Sequence, residues 1–279
     1  MYRKIPQHHF STALCAIALL LTVGILQFNA VGCAASTQTA EPVTFRVMTF
    51  NIHHGEGSDG RIDVGRIAQL IEAQHADIVA IQEVDRGTKR VQKRDILVEL
   101  SEAAGMAYAF GKTIDFQGGM YGLGILTRFP ILAEHQTLFA ESSAGEQRGL
   151  LRVTLSLKGT EVVVMNTHLD DKRAAERETA ARTIVGLCDE FQSGPVILCG
   201  DLNTVPGTSP LAILSSSLTD VWEQLGGIHE KTFPSGDPEE TIDYIFISPH
   251  VGLRPVSQHA VPTSASDHRP VVAEFVLQR

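Results

Sequence analysis

The sequence predicts an α/β domain in which two β-rich layers pack face to face and helices cover the outer faces. Two observations carry that reading. From Val43 onward, short apolar, β-branched runs alternate with helical patterns, and no linker-like stretch interrupts them. A set of motifs also recurs in the same order at nearly constant spacing. Asn51-Ile-His53 returns as Asn166-Thr-His168, 115 residues later, and an apolar run ending in Glu83 returns as one ending in Asp201, 118 residues later. The run Tyr121 to Thr127 is echoed by Asp243 to Ser248, and Gln147-Arg148 by Asp267-His268 at an offset of 120. Four ordered correspondences imply a pseudo-two-fold, with strand ends meeting at one rim.

The chain begins with Arg3 and Lys4, then carries no charged residue until Glu41. Ala13 to Leu26 is almost wholly apolar, long enough for the hydrophobic region of an export signal and short for a membrane span. Ala30-Val31-Gly32-Cys33 resembles a bacterial lipobox. Residues 1–32 are therefore expected to be a signal peptide, 33–42 a short tether, and 43–279 a single domain. Lipidation of Cys33 places the protein in the periplasm or at the cell surface. Ordinary cleavage with secretion, or retention of the segment as an anchor, are the alternatives.

Within the domain, Phe45 to Ile52, Asp77 to Gln82, Tyr121 to Thr127, Leu150 to Leu157, Val162 to Asn166, Val196 to Cys199, Ile242 to Ile247 and Pro270 to Leu277 read as strands. Asp63 can cap a helix whose Ile67, Leu70 and Ile71 share a face. Asp170 or Asp171 can cap a second that runs toward Leu187 and stops before Gly194-Pro195. Cys199 ends an apolar run and reads as a buried free thiol, and no cysteine pattern has structural-zinc spacing.

Charge narrows the partners. The 279 residues carry 32 Asp and Glu against 23 Lys and Arg, a net charge of −9. Loss of Arg3 and Lys4 leaves 21 basic against 32 acidic residues, near −11. A polyanion is repelled by such a chain, so genomic DNA is not favoured. The only membrane contact expected is the lipid anchor, and the chain is expected to be a monomer.

The polar residues that fall at strand ends are those of metal-assisted phosphoryl chemistry. Glu83, Asp267 and the Asn51 amide oxygen are hard donors that suit Mg²⁺, Mn²⁺ or Ca²⁺ better than zinc or copper. Asp201 and Asn203, two apart in Gly200-Asp-Leu-Asn203, can orient and deprotonate water. Asp243 can hold the His268 imidazole in one tautomer, and His168 and Arg148 can donate to a phosphate. His53, His54 and His75 read as solvated or structural, Tyr121 as a strand aromatic or a substrate contact, and Asp85 with Arg86 as a surface pair.

Thr49-Phe-Asn51-Ile-His53, Gln82-Glu83-Val-Asp85, Tyr121-Gly-Leu-Gly-Ile-Leu-Thr127, Asn166-Thr-His168, Gly200-Asp201-Leu-Asn203, Asp243-Tyr-Ile and Ser266-Asp267-His268 stand in an order that resembles the endonuclease/exonuclease/phosphatase superfamily. The resemblance spans nearly all of Val43 to Arg279. It implies the deoxyribonuclease-I-like fold, a four-layered α/β sandwich, and hydrolysis of a phosphodiester or phosphomonoester. It also implies a metal site at Asn51 and Glu83 with Asp267 nearby, and catalysis by His168, Asp201, Asn203, Asp243 and His268; the residues themselves, rather than the resemblance, suggest substrate contacts at Arg148 and Tyr121. The His of Asn166-Thr-His168 departs from the apurinic-site endonucleases and looks more like the deoxyribonuclease, sphingomyelinase and inositol-phosphatase branches. Selectivity is expected in the loops Gly55 to Arg61, Thr88 to Arg94, Gln117-Gly-Gly119 and Glu230 to Glu240.

Rival readings come from other classes. Gly55-Glu-Gly57-Ser-Asp-Gly60 fits the glycine pattern of a dinucleotide-binding oxidoreductase, although Glu56 and Asp59 would repel a pyrophosphate. A Ser266, His268 and Asp243 hydrolase lacks the nucleophile elbow. The third rival is a binding protein for phosphate or a lipid head group that keeps the fold without catalysis.

Overall fold

A computed structural model describes residues 41–140, 145–191, 194–249 and 252–278. The expected signal segment, and the tether up to residue 40, lie outside the described residues. Two six-stranded mixed sheets form the frame. In spatial order the first carries β11 (Leu253–Ala260), β12 (Val271–Leu277), β1 (Val43–Asn51), β2 (Ile78–Arg86), β4 (Gly119–Thr127) and β3 (Ala107–Phe116). The second carries β5 (Ile131–Leu138), β6 (Gly149–Leu157), β7 (Thr160–His168), β8 (Val196–Asp201), β10 (Asp243–Ile247) and β9 (Thr219–Asp220).

Each sheet is organised around one parallel pair, β1 with β2 and β7 with β8, flanked by antiparallel neighbours. The interior strands correspond in order, β12-β1-β2-β4 with β6-β7-β8-β10. These are the strands that carry the four repeated motifs, so the sequence echo marks a real two-fold relation of sheets.

Alternation explains why the strands read as continuous apolar runs. On β1, Phe45 and Val47 face the other sheet and join Ile78, Ile125, Val153, Val164, Ile197 and Ile245 in one core. Met48 and Phe50 face outward and pack with Ile67 and Ile71 of α1 (Val64–Ala73) and Leu97 and Leu100 of α2 (Ile96–Ala104). On the far side, Met165, Leu198 and Phe246 meet Ile184 of α3 (Ala174–Asp189) and Leu214 of α4 (Ser209–Leu214). Strands covered on both faces have no polar face to alternate. The result is helix, sheet, sheet, helix, the four layers expected.

Local chemistry fixes the helix starts. Asp63 accepts from Arg66 N at 3.2 Å and Asp95 from Val98 N at 3.2 Å, each capping its helix. The expected Asp170 or Asp171 cap is displaced: α3 starts at Ala174 with Arg173 as its N-cap, and Asp170 accepts from Lys172 N (2.8 Å) and Arg173 N (2.6 Å) just ahead of it. Cys199 is a buried free thiol, as expected, and so is Cys188, whose thiol burial pushes up to about 12. Gly200 has a physical reason to be glycine. A Cβ there would lie 2.4 Å from the Thr167 carbonyl oxygen across the β7–β8 pair.

The glycine-rich decoy folds on itself. Gly60 N donates to Gly57 O and Ser58 N to Ser264 O, while Arg66 forks onto Asp59 at 3.0 and 3.1 Å. Its amides are spent within the protein, so the loop makes no phosphate cradle.

A candidate active site at the rim between the sheets

The ends of β1, β2, β7, β8 and β10 open on one cleft of about 310 Å³. Its lining includes Asn51, Glu83, Tyr121, Arg148, His168, Asp201, Asn203, Asp267 and His268. Asp243 lies just beneath, bonded to His268. The structure thus gathers all ten residues expected from sequence.

Asp201 is the hub. Its Oδ2 accepts from Asn51 Nδ2 at 3.0 Å and lies 3.5 Å from His168 Nε2 and 3.7 Å from His268 Nε2. Its Oδ1 accepts from Asn203 N at 3.0 Å, a tight turn that holds Asn203 at φ 48. Asn203 is further pinned by its Nδ2 donating to Leu169 O. His268 Nδ1 donates to Asp243 Oδ2 at 3.0 Å, and Phe233 lies against the imidazole with ring centroids 4.8 Å apart. β8 and β10 pair with Asp201 opposite Asp243, which is why two carboxylates converge here.

Burial and charge set the protonation states. Burial raises Asp201 to about 7, with Asp243 adding to the rise and the His268 charge and the Asn51 and Asn203 hydrogen bonds opposing it. Burial disfavours a charged His268, yet Asp243 and Asp201 outweigh it and lift the group to about 10. His168 is driven well below its ordinary value by burial, then by Arg148 and His268. Its contact with Asp201 is therefore between a neutral imidazole and a carboxyl group, not an ion pair.

Glu83 occupies a β-bulge: the β2–β4 register shifts between Ile81 and Val84, and Glu83 has φ 59. Its carboxylate accepts from Asn51 Nδ2 at 3.1 Å. Asp267 accepts from Ser266 Oγ at 3.2 Å, and its side chain is 42% exposed. Among the described residues no Lys or Arg comes within ion-pair reach of either carboxylate. Two such carboxylates in one cleft repel each other unless a cation joins them, so the donor set fits a hard divalent ion. The Asn51 oxygen accepts from His53 N and keeps a second lone pair for an ion, while its nitrogen joins Glu83 to Asp201. Asp201, Asp243 and His268 are also close enough to surround an ion. There, however, the proton that Asp243 stabilises on His268 already supplies the positive charge.

Arg148 is 11% exposed and pairs with Glu146 at 3.0 Å. Tyr121 is buried, its ring 6.3 Å from Phe116 and 5.6 Å from the Arg90 guanidinium. Sequence reasoning overlooked Arg90, Ile114, Phe116, Glu146, Asp171 and Phe233 as lining residues, although Arg90 and Phe233 fall in loops expected to govern selectivity. The Gly55 to Arg61 loop contributes no lining residue. The Asp85 and Arg86 surface pair is corrected. Asp85 is fully buried and takes a bidentate bond from Arg90 at 2.6 and 2.9 Å, whereas Arg86 turns to Asp95 at 2.7 Å. Strand alternation sends these neighbours to opposite faces. His54 is buried near the cleft and His53 stays half-buried, 3.9 Å from Asp267.

The sequence profile of the Endonuclease/Exonuclease/phosphatase family matches residues 48–268. The Escherichia coli protein YbhP is 26% identical over 252 residues, covering 84% of this chain and 97% of its own length. An endonuclease/exonuclease/phosphatase from Beutenbergia cavernae shares 26% identity with a TM-score of 0.67, covering 84% of this chain and 72% of that one. A mannosyl-6-phosphatase of Bacteroides thetaiotaomicron superposes with a TM-score of 0.71 at 21% identity, covering 84% of this chain and all of that one.

Proposed function

This chain belongs to the endonuclease/exonuclease/phosphatase family, and we propose that it hydrolyses a phosphate ester by in-line attack of water, with Mg²⁺ or Mn²⁺, or else Ca²⁺, as cofactor. The observation that carries the reading is the buried Asp243–His268–Asp201 array opening beside Glu83 and Asp267 in one cleft.

A base poised near neutral pH is what water activation requires, and burial brings Asp201 there. Asn203 N and Asn51 Nδ2 hold the two carboxylate oxygens in place, and Oδ2, beside His168 and His268, would take the proton of the attacking water. His268, kept charged by Asp243, donates from Nε2 to a phosphoryl oxygen. His168 and Arg148 add neutral and charged donors for the same group. A cation held by Glu83 and Asp267 would offset the charge that develops on the phosphoryl oxygens.

The cleft volume and the acidic charge favour a small phosphorylated molecule over a polynucleotide. The mannosyl-6-phosphatase of similar fold from Bacteroides thetaiotaomicron is consistent with this. The rest of the substrate would lie along Arg90, Phe116 and Tyr121. Purified protein should turn over members of a panel of sugar phosphates, inositol phosphates, nucleotides and short DNA with added metal. No turnover of any of them with Mg²⁺, Mn²⁺ or Ca²⁺ would sink the enzyme reading and favour a binding protein. Export, with a lipid at Cys33 or by secretion, is part of the same proposal and rests on the residues before Glu41.

A further inference from the structure

Within the apolar space between the sheets a polar clamp grips the bulge that carries Glu83. Asn166, on β7 of the second sheet, is fully buried. Its Nδ2 donates to Ile81 O and to Gly124 O, both at 2.8 Å, across the interior in the first sheet. Ile81 and Gly124 face each other as the last regular pair before the β2–β4 register shifts. The Asn166 Oδ1 accepts at 2.6 Å from Gln82 Nε2, which also donates to Thr49 Oγ1 at 3.1 Å. Gln82 is the first residue inside the shift, and Glu83 follows it at φ 59.

A buried amide in a core of Val, Ile and Leu costs stability unless its hydrogen bonds are met, and apolar side chains would fill the same space more cheaply. Asn166 spends both donor hydrogens and its acceptor at one bulge, on Ile81 and Gln82 of β2 and on Gly124 of β4. A left-handed φ at a glutamate is a strained conformation that persists only where its surroundings enforce it.

We propose that Asn166, with Gln82, is a positioning residue for Glu83: it clamps the bulge from the opposite sheet, and so sets the carboxylate that receives the divalent cation. The inference rests on the proposed cation role of Glu83. It also ties the sheets together functionally, since His168 lies two residues beyond Asn166 and pairs in register with Asp201.

The test is Mn²⁺ binding to the purified protein, read from the free-ion signal in electron paramagnetic resonance, for wild type, Asn166→Leu, Gln82→Met and Glu83→Gln. Each variant is first checked for a cooperative melt. Asn166→Leu is expected to bind Mn²⁺ roughly 10- to 100-fold more weakly, the range for residues that orient a ligand. Gln82→Met, which keeps the clamp on Ile81 and Gly124, loses less. Turnover of Asn166→Leu returns as Mn²⁺ is raised, because the clamp does not touch Asp201 or His268. Wild-type Mn²⁺ affinity in Asn166→Leu, with weakened binding in Glu83→Gln, overturns the inference alone. Should Asn166→Leu fail to fold, wild-type affinity in Gln82→Met does the same. Wild-type affinity in Glu83→Gln overturns the cation reading and the inference with it. A turnover loss that added Mn²⁺ cannot restore makes Asn166 a general structural residue and rejects the positioning role.

Discussion

Asp243 and Asp201 hold a charged imidazole between them, and that charge fixes the direction in which activity responds to pH. Turnover should rise with pH as Asp201, lifted to about 7, gives up its proton, and fall as His268 loses its proton near 10. Asp243→Asn removes the carboxylate that raises His268, so the alkaline limb should move down toward the ordinary histidine range near 6.5. Titrating the His268 ring by NMR checks this directly, and an unmoved limb refutes the assignment. The stability sign follows the same group. The His268 ion pair contributes fully below the ordinary value and is lost as pH rises through about 10. His268→Ala should lower turnover by roughly 10²–10⁴-fold. Adding Asp243→Asn should cost little more, because the pair acts as a unit. Losses that multiplied would show the two to be independent. The ten positions that the structure brings to the cleft were legible in the sequence, most of them as polar residues at the ends of apolar runs and the set as a whole through the order of its motifs. Arg90 and Phe233 were not, since their neighbours in sequence give no apolar frame to be an exception to.

Strands in the interior of a sheet announce themselves, and strands at its edge do not. The eight interior strands, β1, β2, β4, β6, β7, β8, β10 and β12, were all readable as β-branched runs. The four edge strands, β3, β5, β9 and β11, were not. β11 contains Pro255, and β5 exposes Leu132, Glu134, His135 and Gln136, the mixed composition that edges carry to discourage further pairing. β2 outran its expected end at Gln82 because its bulge at Glu83 continues, rather than ends, the strand. Element packing gives two further expectations. Gly200→Ala should push β8 from β7 and lower both the thermal midpoint and turnover, whereas Gly186→Ala, with open space around the Cβ, should leave both unharmed. The second concerns the wall beside the cleft. Lys89 N donates to Gln117 O, Arg90 N donates to Gln117 Oε1, and Lys93 Nζ donates to Gly118 O, so the 88–94 loop and the β3–β4 turn form one unit that presents Arg90. Arg90→Ala should raise KM in steady-state kinetics on the best substrate and also lower the thermal midpoint, because it leaves the buried Asp85 carboxylate unpaired. A fall in kcat at unchanged KM would place Arg90 among the groups that act on the transition state instead.

At the scale of the molecule, two sheets related by a pseudo-two-fold each bring half of a site to one rim. Neither half is sufficient. Glu83 comes from the first sheet and Asp201 from the second, and Asn51 bonds to both. Metal should be removable without unfolding, since the cores on both faces of each sheet contain no proposed ligand. EDTA should abolish turnover while the melting transition stays cooperative, and full activity in thoroughly chelated protein would count decisively against the cofactor. For the export proposal, Cys33→Ser should move the protein from the membrane fraction to the soluble one. A native protein found soluble and unmodified, beginning after Cys33, would support secretion. One feature of the topology reaches into how the protein is made. β12, the last strand in chain order, closes the first sheet against β1, the first, with Thr49 facing Val271. Asp267 and His268 stand just before it and reach the rim only with that closure. While the chain is being synthesised, its earlier strands can pair among themselves, but the pairing with the widest sequence separation must come late. A chain in which β12 has yet to pair with β1 therefore holds Glu83 and Asp201 on strands already formed and lacks Asp267 and His268 at the rim, so the proposed chemistry should appear only with that last long-range pairing.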